Sequence, residues 1–454
     1  MGEIKVRSRF MARKRRRFKK VPTEHVTVTI DSLSHEGRGV ARVNDKVVFI
    51  NGALPGEEVV FSYVRSASKF DEGRVEEVLK ASPDRIEPKC PHFSLCGACS
   101  LQHMESDKQI DAKQAQLLEH FEHIGKVDPE EVLPPLTGPL WGYRHKARLG
   151  VRNVHAKGRV LVGFRERYSP YLADMHRCEV LHPDVGERLD ELSELIGSLD
   201  AHSEIAQIEV AVSDHATAMV FRNLVALSDG DREKLIAYAK QSGIHVYEQP
   251  KGPATIAPLW PEVSELFYRL PDYDVEMKFR PGDFTQVNTE INRKMIPKAI
   301  ELLDVQPHET VLDLFCGLGN FTLPLARKAK HVVGIEGDEG LVQRARENAK
   351  HNGIENVEYH VANLAEDVSN FPWMAQHYDK ILIDPARSGA LEVLHQLASF
   401  TPEKLVYVSC NPATLARDAG VLVNEHGYRL KKAGVMDMFP HTTHVESIAL
   451  FERK

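Results

Sequence analysis

Cys410 closes an apolar run in KLVYVSCNPATLARD and is followed at once by the Asn411-Pro412 turn. A cysteine inside a strand is usually a small packing residue, whereas one at the mouth of a turn can present its sulfur to a ligand. Glu446 precedes another apolar run, in MFPHTTHVESIALFER. A thiolate and a carboxylate suit a two-stage reaction. The sulfur adds to an unsaturated ring and makes the neighbouring carbon nucleophilic, and after that carbon is alkylated a base removes its proton so that the sulfur can leave. Cys410 would be the nucleophile and Glu446 the proton acceptor. Asp384, in KILIDPAR, ends a neighbouring apolar run and would open onto the same edge of a sheet.

A pocket for the alkyl donor is expected in VLDLFCGLGNFTLPLA, where a strand over 311–315 runs through Gly317-Leu318-Gly319 into a helix. Such a turn brings backbone amides to a ligand at the carboxyl edge of the sheet. The third glycine of a dinucleotide fingerprint would fall at position 322, which is Thr, so a pyrophosphate cofactor is disfavoured. Glu336 ends the next strand, where a carboxylate can accept from both ribose hydroxyls, and Asn363 ends the third, where an amide could read an adenine edge. The ordered series resembles the class I S-adenosylmethionine methyltransferase pattern. Cys316, within the turn, is read as a packing residue.

These residues need a parallel sheet to position them. From residue 276 the chain alternates apolar strands with amphipathic helices, the pattern of a Rossmann-like α/β domain over 276–454. Residues 84–275 read as a mixed α+β central domain, with a helix around 108–124 and an antiparallel sheet. Residues 21–83 read as short strands with Gly at the bends, a small antiparallel OB-like β-barrel; DSLSHEGRGVAR and VFINGALPGE resemble the TRAM domain, a compact RNA-binding barrel. Residues 1–20 carry ten Lys or Arg against the single Glu3, a disordered arm suited to phosphates that the net charge of −7 conceals. No run approaches the roughly 20 apolar residues of a membrane span, so a cytoplasmic protein without a membrane partner is expected. Each active site is complete within one chain, which favours a monomer.

Six cysteines are too few for a disulfide scaffold. Cys90, Cys96 and Cys99 lie together in KCPHFSLCGACS, and Cys178 is the one other cysteine of the central region. Four thiolates suit tetrahedral zinc or a [4Fe-4S] cluster.

DFTQVN at 283–288, DLFCGLGNF at 313–321, DPAR at 384–387, SCNP at 409–412 and FPHTTHVES at 439–447 together resemble the RNA uracil-C5 methyltransferase family. The resemblance implies that the thiolate adds to carbon 6 of a uracil and that carbon 5 receives the methyl group of S-adenosylmethionine. It implies cofactor contacts from Gln286, Phe315, Asn320, Glu336, Asn363 and Asp384. Gln286 rests on the resemblance alone. The barrel and the cysteines resemble the branch that forms 5-methyluridine in bacterial 23S ribosomal RNA, which implies a [4Fe-4S] cluster on Cys90, Cys96, Cys99 and Cys178. Other ribosomal or transfer RNA uridines are the nearest alternatives, and an inactive iron-sulfur RNA-binding protein is the alternative from another class.

A stacked uracil hides carbon 6, so the base must be extruded along a path of aromatic and cationic side chains. Phe164, Arg165, Arg167, Tyr143, Arg144, His145, Lys146 and Phe284 are the expected lining, with Arg144 and Lys146 as phosphate contacts.

Overall fold

The computed structural model describes residues 21–397 and 400–454; the basic arm expected over residues 1–20 lies outside them. The chain divides into two units, one ending at Arg85 and one beginning at Ile86.

In the first unit six strands, from His25–Thr29 to Phe70–Lys80, form one sheet around Ile30, Ala41, Val48, Ile50, Val59 and Phe61. The amides of Ile30 and Asp31 donate to the carbonyls of Glu57 and Val40, so the chain leaving the first strand links the two halves of the sheet into a barrel-like wrap. The expected all-antiparallel pairing is not what forms, because Lys46–Asn51 pairs in parallel with Phe70–Lys80. The Glu58–Ser66/Phe70–Lys80 hairpin intervenes, and its second strand returns alongside Lys46–Asn51 in the same direction. Gly73 is required there: a Cβ would lie 2.5 Å from the Phe61 ring.

The second unit holds two large sheets. The central one runs in the order Ala257–Trp260, His245–Glu248, Thr217–Asn223, Ile205–Val212, Lys146–Val154, Arg159–Gly163. It is mixed rather than antiparallel, since Thr217–Asn223 and His245–Glu248 pair in parallel. The helix Asp229–Ser242 between them makes the crossover that parallel neighbours need.

The other sheet carries the candidate site. Its strands are β1 (Thr310–Leu314), β2 (His331–Glu336), β3 (Val357–Val361), β4 (Lys380–Ile383), β5 (Lys404–Ser409), β6 (Tyr428–Met436) and β7 (Glu446–Arg453), in the order β3-β2-β1-β4-β5-β7-β6, with the two-residue strand Glu131–Val132 at the edge beyond β6. β1 to β5 are parallel and β7 is antiparallel to both neighbours. Successive strand residues point to opposite faces, and both faces are covered. Val311, Val332 and Val406 pack with Met295 and Ala299 of the helix Thr289–Leu303. Leu312, Val333 and Leu405 pack on the other face with Leu415 and Ala419 of the helix Pro412–Asn424 and with Ile110 and Leu117 of the helix Ser106–His120. Each such side chain contributes about 1.5–3 kcal/mol by leaving water. Ala218, Val220 and Tyr247 of the central sheet join the first of these cores, so one core runs across the boundary expected at residue 276.

Gly334 in β2 lets the neighbouring layers close: a Cβ there would lie 2.8 Å from the Tyr359 ring and 3.0 Å from the Cys316 sulfur. Gly334→Ala is expected to destabilise the protein by about 1–3 kcal/mol through overpacking, read as a lowered melting temperature.

Candidate active site

The ladder between β5 and β7 ends with Ser409 opposite Ser447. In an antiparallel pair the next residues to face each other are Cys410 and Glu446, and opposed residues have Cα atoms about 4.5–5.5 Å apart. The Ser447 hydroxyl donates to the Ser409 carbonyl at 3.1 Å, which fixes this end of the ladder. Glu446 begins a central strand and is 4% exposed, so it is not a surface acid on a sheet edge.

Asp384 follows β4 immediately, and its amide donates to the Leu314 carbonyl. The loop that carries it is tied to the segment after Cys410. The Asn411 side chain donates to the Arg387 carbonyl at 2.9 Å and accepts from the Ala413 amide, capping the helix Pro412–Asn424. Arg417 of that helix donates to the Ser388 carbonyl at 2.9 Å. The cap and the loop therefore bring Asp384 and Cys410 to one edge.

Little opposes the acidity of this cluster. Burial, then the charges of Glu446 and Asp384, pushes the Cys410 thiol up to about 11, with Arg387 acting in the other direction. Burial pushes Asp384 up to about 7 and, with the charge of Asp384, holds Glu446 well above the usual carboxylate range. Asp313, in β1, is fully buried and also raised to about 7, by burial first, although the Thr322 hydroxyl donates to it at 2.5 Å. Burial thus favours the neutral forms of the thiol and the acids alike, and each carboxylate that ionises opposes ionisation of Cys410.

The glycine turn adjoins the cluster. Phe315 has φ +65° and Gly317 φ +54°, and a Cβ on Gly317 would enter open space. A non-glycine residue in the left-handed region is strained, and such strain gathers at ligand sites. Glu336 accepts from the amides of Gly317, Gly337 and Asp338 at 3.1, 2.7 and 3.0 Å, leaving part of its acceptor capacity for a hydroxyl pair. Asn320 is engaged otherwise: its amide exchanges hydrogen bonds with Asn292, and the Tyr268 hydroxyl donates to it at 2.8 Å. These bonds tie the turn to the helix Thr289–Leu303 and to the strand Leu266–Leu270. Asn363 is exposed, two residues beyond β3, and its side chain bonds Glu366 and the Ala365 amide. Gln286 is half-buried in the loop before the helix Thr289–Leu303. Cys316 is buried in the core, as a packing residue would be.

Several residues expected to line the RNA path are occupied elsewhere. Tyr143 is buried, with its hydroxyl donating to Pro440. Lys146 faces Glu209 and the Pro281 carbonyl, so it is not a free phosphate contact. His145 bonds the Thr289 hydroxyl at 2.6 Å, and burial pushes its imidazole down to about 4. Arg167 donates to the carbonyls of Phe93, Cys96 and Cys99. Phe164 lies half-buried beneath the Arg144 guanidinium, while Arg165 and Phe284 are exposed. Sequence reading missed the buried Lys113–Asp437 pair at 2.7 Å; the signal was a lysine on the apolar face marked by Ile110 and Leu117.

Cys90, Cys96, Cys99 and Cys178 are all buried, and their thiols are near enough to raise one another's acidity thresholds, after the larger effect of burial. Among the described residues no three His, Cys, Asp or Glu side chains are grouped to hold a single metal ion. No helix among them is long and apolar enough to cross a membrane.

Residues 263–454 match the family model described as tRNA (Uracil-5-)-methyltransferase, and residues 20–61 match the TRAM domain. The chain is 54% identical over 445 residues to the 23S rRNA (uracil(1939)-C(5))-methyltransferase RlmD of Alkalilimnicola ehrlichii, covering 98% of this chain and 99% of that one. It is 53% identical to the protein of the same name from Alcanivorax borkumensis, covering 96% and 99%. The structure of a Pyrococcus abyssi tRNA (uracil-54, C5)-methyltransferase in complex with S-adenosyl-L-homocysteine superimposes with a TM-score of 0.71 at 24% identity, over 94% of this chain and 100% of that one. The last likeness speaks for the fold. The chain belongs to the RlmD family of 23S rRNA (uracil-C5)-methyltransferases. It is an enzyme with a TRAM domain near its N-terminal end and a methyltransferase domain at its C-terminal end.

Asp384→Asn removes a carboxylate that is ionised above about pH 7 beside Cys410. The thiol should then ionise at lower pH, and alkylation of Cys410 in the ligand-free protein at pH 9 should speed up several-fold. An unchanged pH profile of alkylation would show that Asp384 does not act on the thiol.

Proposed function

We propose that this enzyme methylates carbon 5 of a uridine in 23S ribosomal RNA, the one that its relatives' names place at position 1939. The observation that carries the reading is the opposition of Cys410 and Glu446 beyond the last rung of β5 and β7, with Asp384 beside them. S-adenosylmethionine, when bound, supplies an electrophilic methyl group. Glu336 would hold its ribose, and Phe315, Gln286, Asn320, Asn363 and Asp384 would complete its surroundings. An acidic, desolvated pocket favours such a cation.

Cys410, as thiolate, forms a bond to carbon 6 of the extruded uracil, and the ring's electrons move to carbon 5. Carbon 5 would take the methyl group, whose bond to the donor's sulfur breaks with the electron pair staying on that sulfur. Glu446, ionised at this stage, removes the proton from carbon 5; the electron pair returns to the ring and the bond between sulfur and carbon 6 breaks. Burial, which holds Glu446 well above the usual carboxylate range, makes its ionised form a stronger base.

Cys90, Cys96, Cys99 and Cys178 would hold a [4Fe-4S] cluster. The four thiols are buried and near enough to act on one another's ionisation, and the Ala98 amide donates to the Cys96 sulfur, which supports thiolate ligation; a four-iron cube spaces its ligands more widely than one zinc ion does. The role assigned to it is structural, because the methyl transfer needs no electron. The enzyme acts as a monomer in the cytoplasm, with the barrel and the basic arm on the RNA.

Two experiments test this. With 5-fluorouridine in a 23S ribosomal RNA fragment, the fluorine cannot be removed as a proton, so a denaturation-resistant adduct should accumulate, map to one nucleotide and vanish in Cys410→Ser. Absence of adduct with RNA and cofactor both bound would overturn the reading. Anaerobically purified protein should contain iron and sulfide in equal amounts, reduced in Cys178→Ser; stoichiometric zinc without sulfide would replace the cluster with an ion.

A further inference from the structure

The segment Asp437–Val445, which delivers Glu446 to the site, has no regular structure, yet it is buried at Asp437, His441 and Thr442. Its anchors come from the other end of the unit. The His441 carbonyl accepts from the amides of Ser100 and Leu101 at 2.9 and 3.0 Å, and these residues directly follow Cys99. The His441 amide donates to the Gln109 side chain at 2.9 Å, and the amide nitrogen of Gln109 lies 3.3 Å from His441 Nδ1. That same nitrogen donates to the carbonyls of Leu101 and Met104, so Gln109 joins the cysteine loop to His441. The imidazole stacks on Trp141 with ring centroids 4.0 Å apart. On either side Lys113 bonds Asp437 and the Phe439 carbonyl, at 2.7 and 2.9 Å, and Tyr143 bonds Pro440.

His441 itself has φ +64°, a conformation that costs a side-chain-bearing residue about 1–3 kcal/mol and persists only where its surroundings enforce it. The kink falls five residues before Glu446, on the connection from β6 to β7 where it rests against the cysteine loop. The ring, the carbonyl and the amide of one residue are all engaged to hold it.

We infer that His441 is a positioning residue for Glu446: gripped by Gln109, Trp141 and the backbone after Cys99, it sets where β7 begins and hence where the base meets carbon 5. The inference rests on the reading of Glu446 as the proton acceptor. The cysteine loop, on this view, acts on catalysis through His441, separately from any contact it makes with RNA. Cys410 has anchors of its own, at the end of β5 and beside the Asn411 cap of the helix after it. Loss of the His441 ring should therefore slow proton removal and spare adduct formation.

The full-length enzyme with its metal centre intact is compared as His441→Ala, His441→Asn and Glu446→Gln. Asn tolerates the left-handed backbone and retains an amide for Gln109. On 5-fluorouridine RNA, where no proton leaves, His441→Ala should form adduct at the parent rate. On ordinary RNA its turnover should fall by about 10- to 100-fold, with the covalent adduct accumulating. His441→Asn should recover part of the turnover. Equal slowing of fluorouridine adduct formation and turnover in both histidine variants would reduce His441 to a folding contact and overturn the inference. So would an absence of adduct in those variants where Glu446→Gln accumulates it. If Glu446→Gln itself accumulates none, the base has been misassigned and both readings fall.

Discussion

Three carboxylic acids and a thiol share one poorly hydrated end of the sheet, with the Arg387 guanidinium the cation that most directly opposes them at Cys410. Left to themselves such groups would separate or draw in water, since each ionisation raises the cost of the next. The parallel strands prevent separation. β1, β4 and β5 each end beside the next, and both faces of the sheet are packed, so the acids cannot drift apart without opening a core. An acidic, poorly hydrated cluster of this kind favours a cationic ligand, and the strands hold its members in place for one. The sheet's rigidity is thus part of the chemistry, as well as its support.

How much of this could be read from the chain depends on whether a function is local. Cys410, Glu336 and the Gly317-Leu318-Gly319 turn sit at strand ends, and the alternation of apolar runs marks those ends. Glu446 was legible as a strand start. Its burial was not, because the antiparallel insertion of β7 between β5 and β6 is a choice of topology that leaves no local pattern. Lys146, His145 and Arg167 looked like RNA contacts because a cation in sequence does not reveal its partner; Glu209, Thr289 and the carbonyls around Cys99 are all far away along the chain. Asn320 shows the converse. Its place in the glycine turn was correctly seen, but its side chain is claimed by Asn292 and Tyr268.

The same non-locality explains why an expected division at residue 276 meets a continuous core. Tyr268 and Met277, on a two-stranded hairpin, pack with Ala218 of the central sheet and Val311 of β1. The hairpin is a joint between layers, and the hydrogen bond from the Tyr268 hydroxyl to Asn320 extends it to the glycine turn. A change in sequence rhythm marked where strand and helix begin to alternate, which is a statement about local order and not about where packing stops.

The short strand Glu131–Val132 lies parallel to β6 at the rim of the sheet, and the amides of Leu133 and Leu136 continue the contact by donating to Ala433 and Val435. Gly434 admits it, since a Cβ there would lie 2.7 Å from that of Leu133. An uncovered rim of this length would present free amides and carbonyls to any extended peptide, including another copy of itself. The catalytic sheet is therefore finished by a piece of chain made well before it. During synthesis the last-made strands find their border already waiting, and a fragment comprising only the alternating strands and helices would expose a sticky margin that the intact protein never shows.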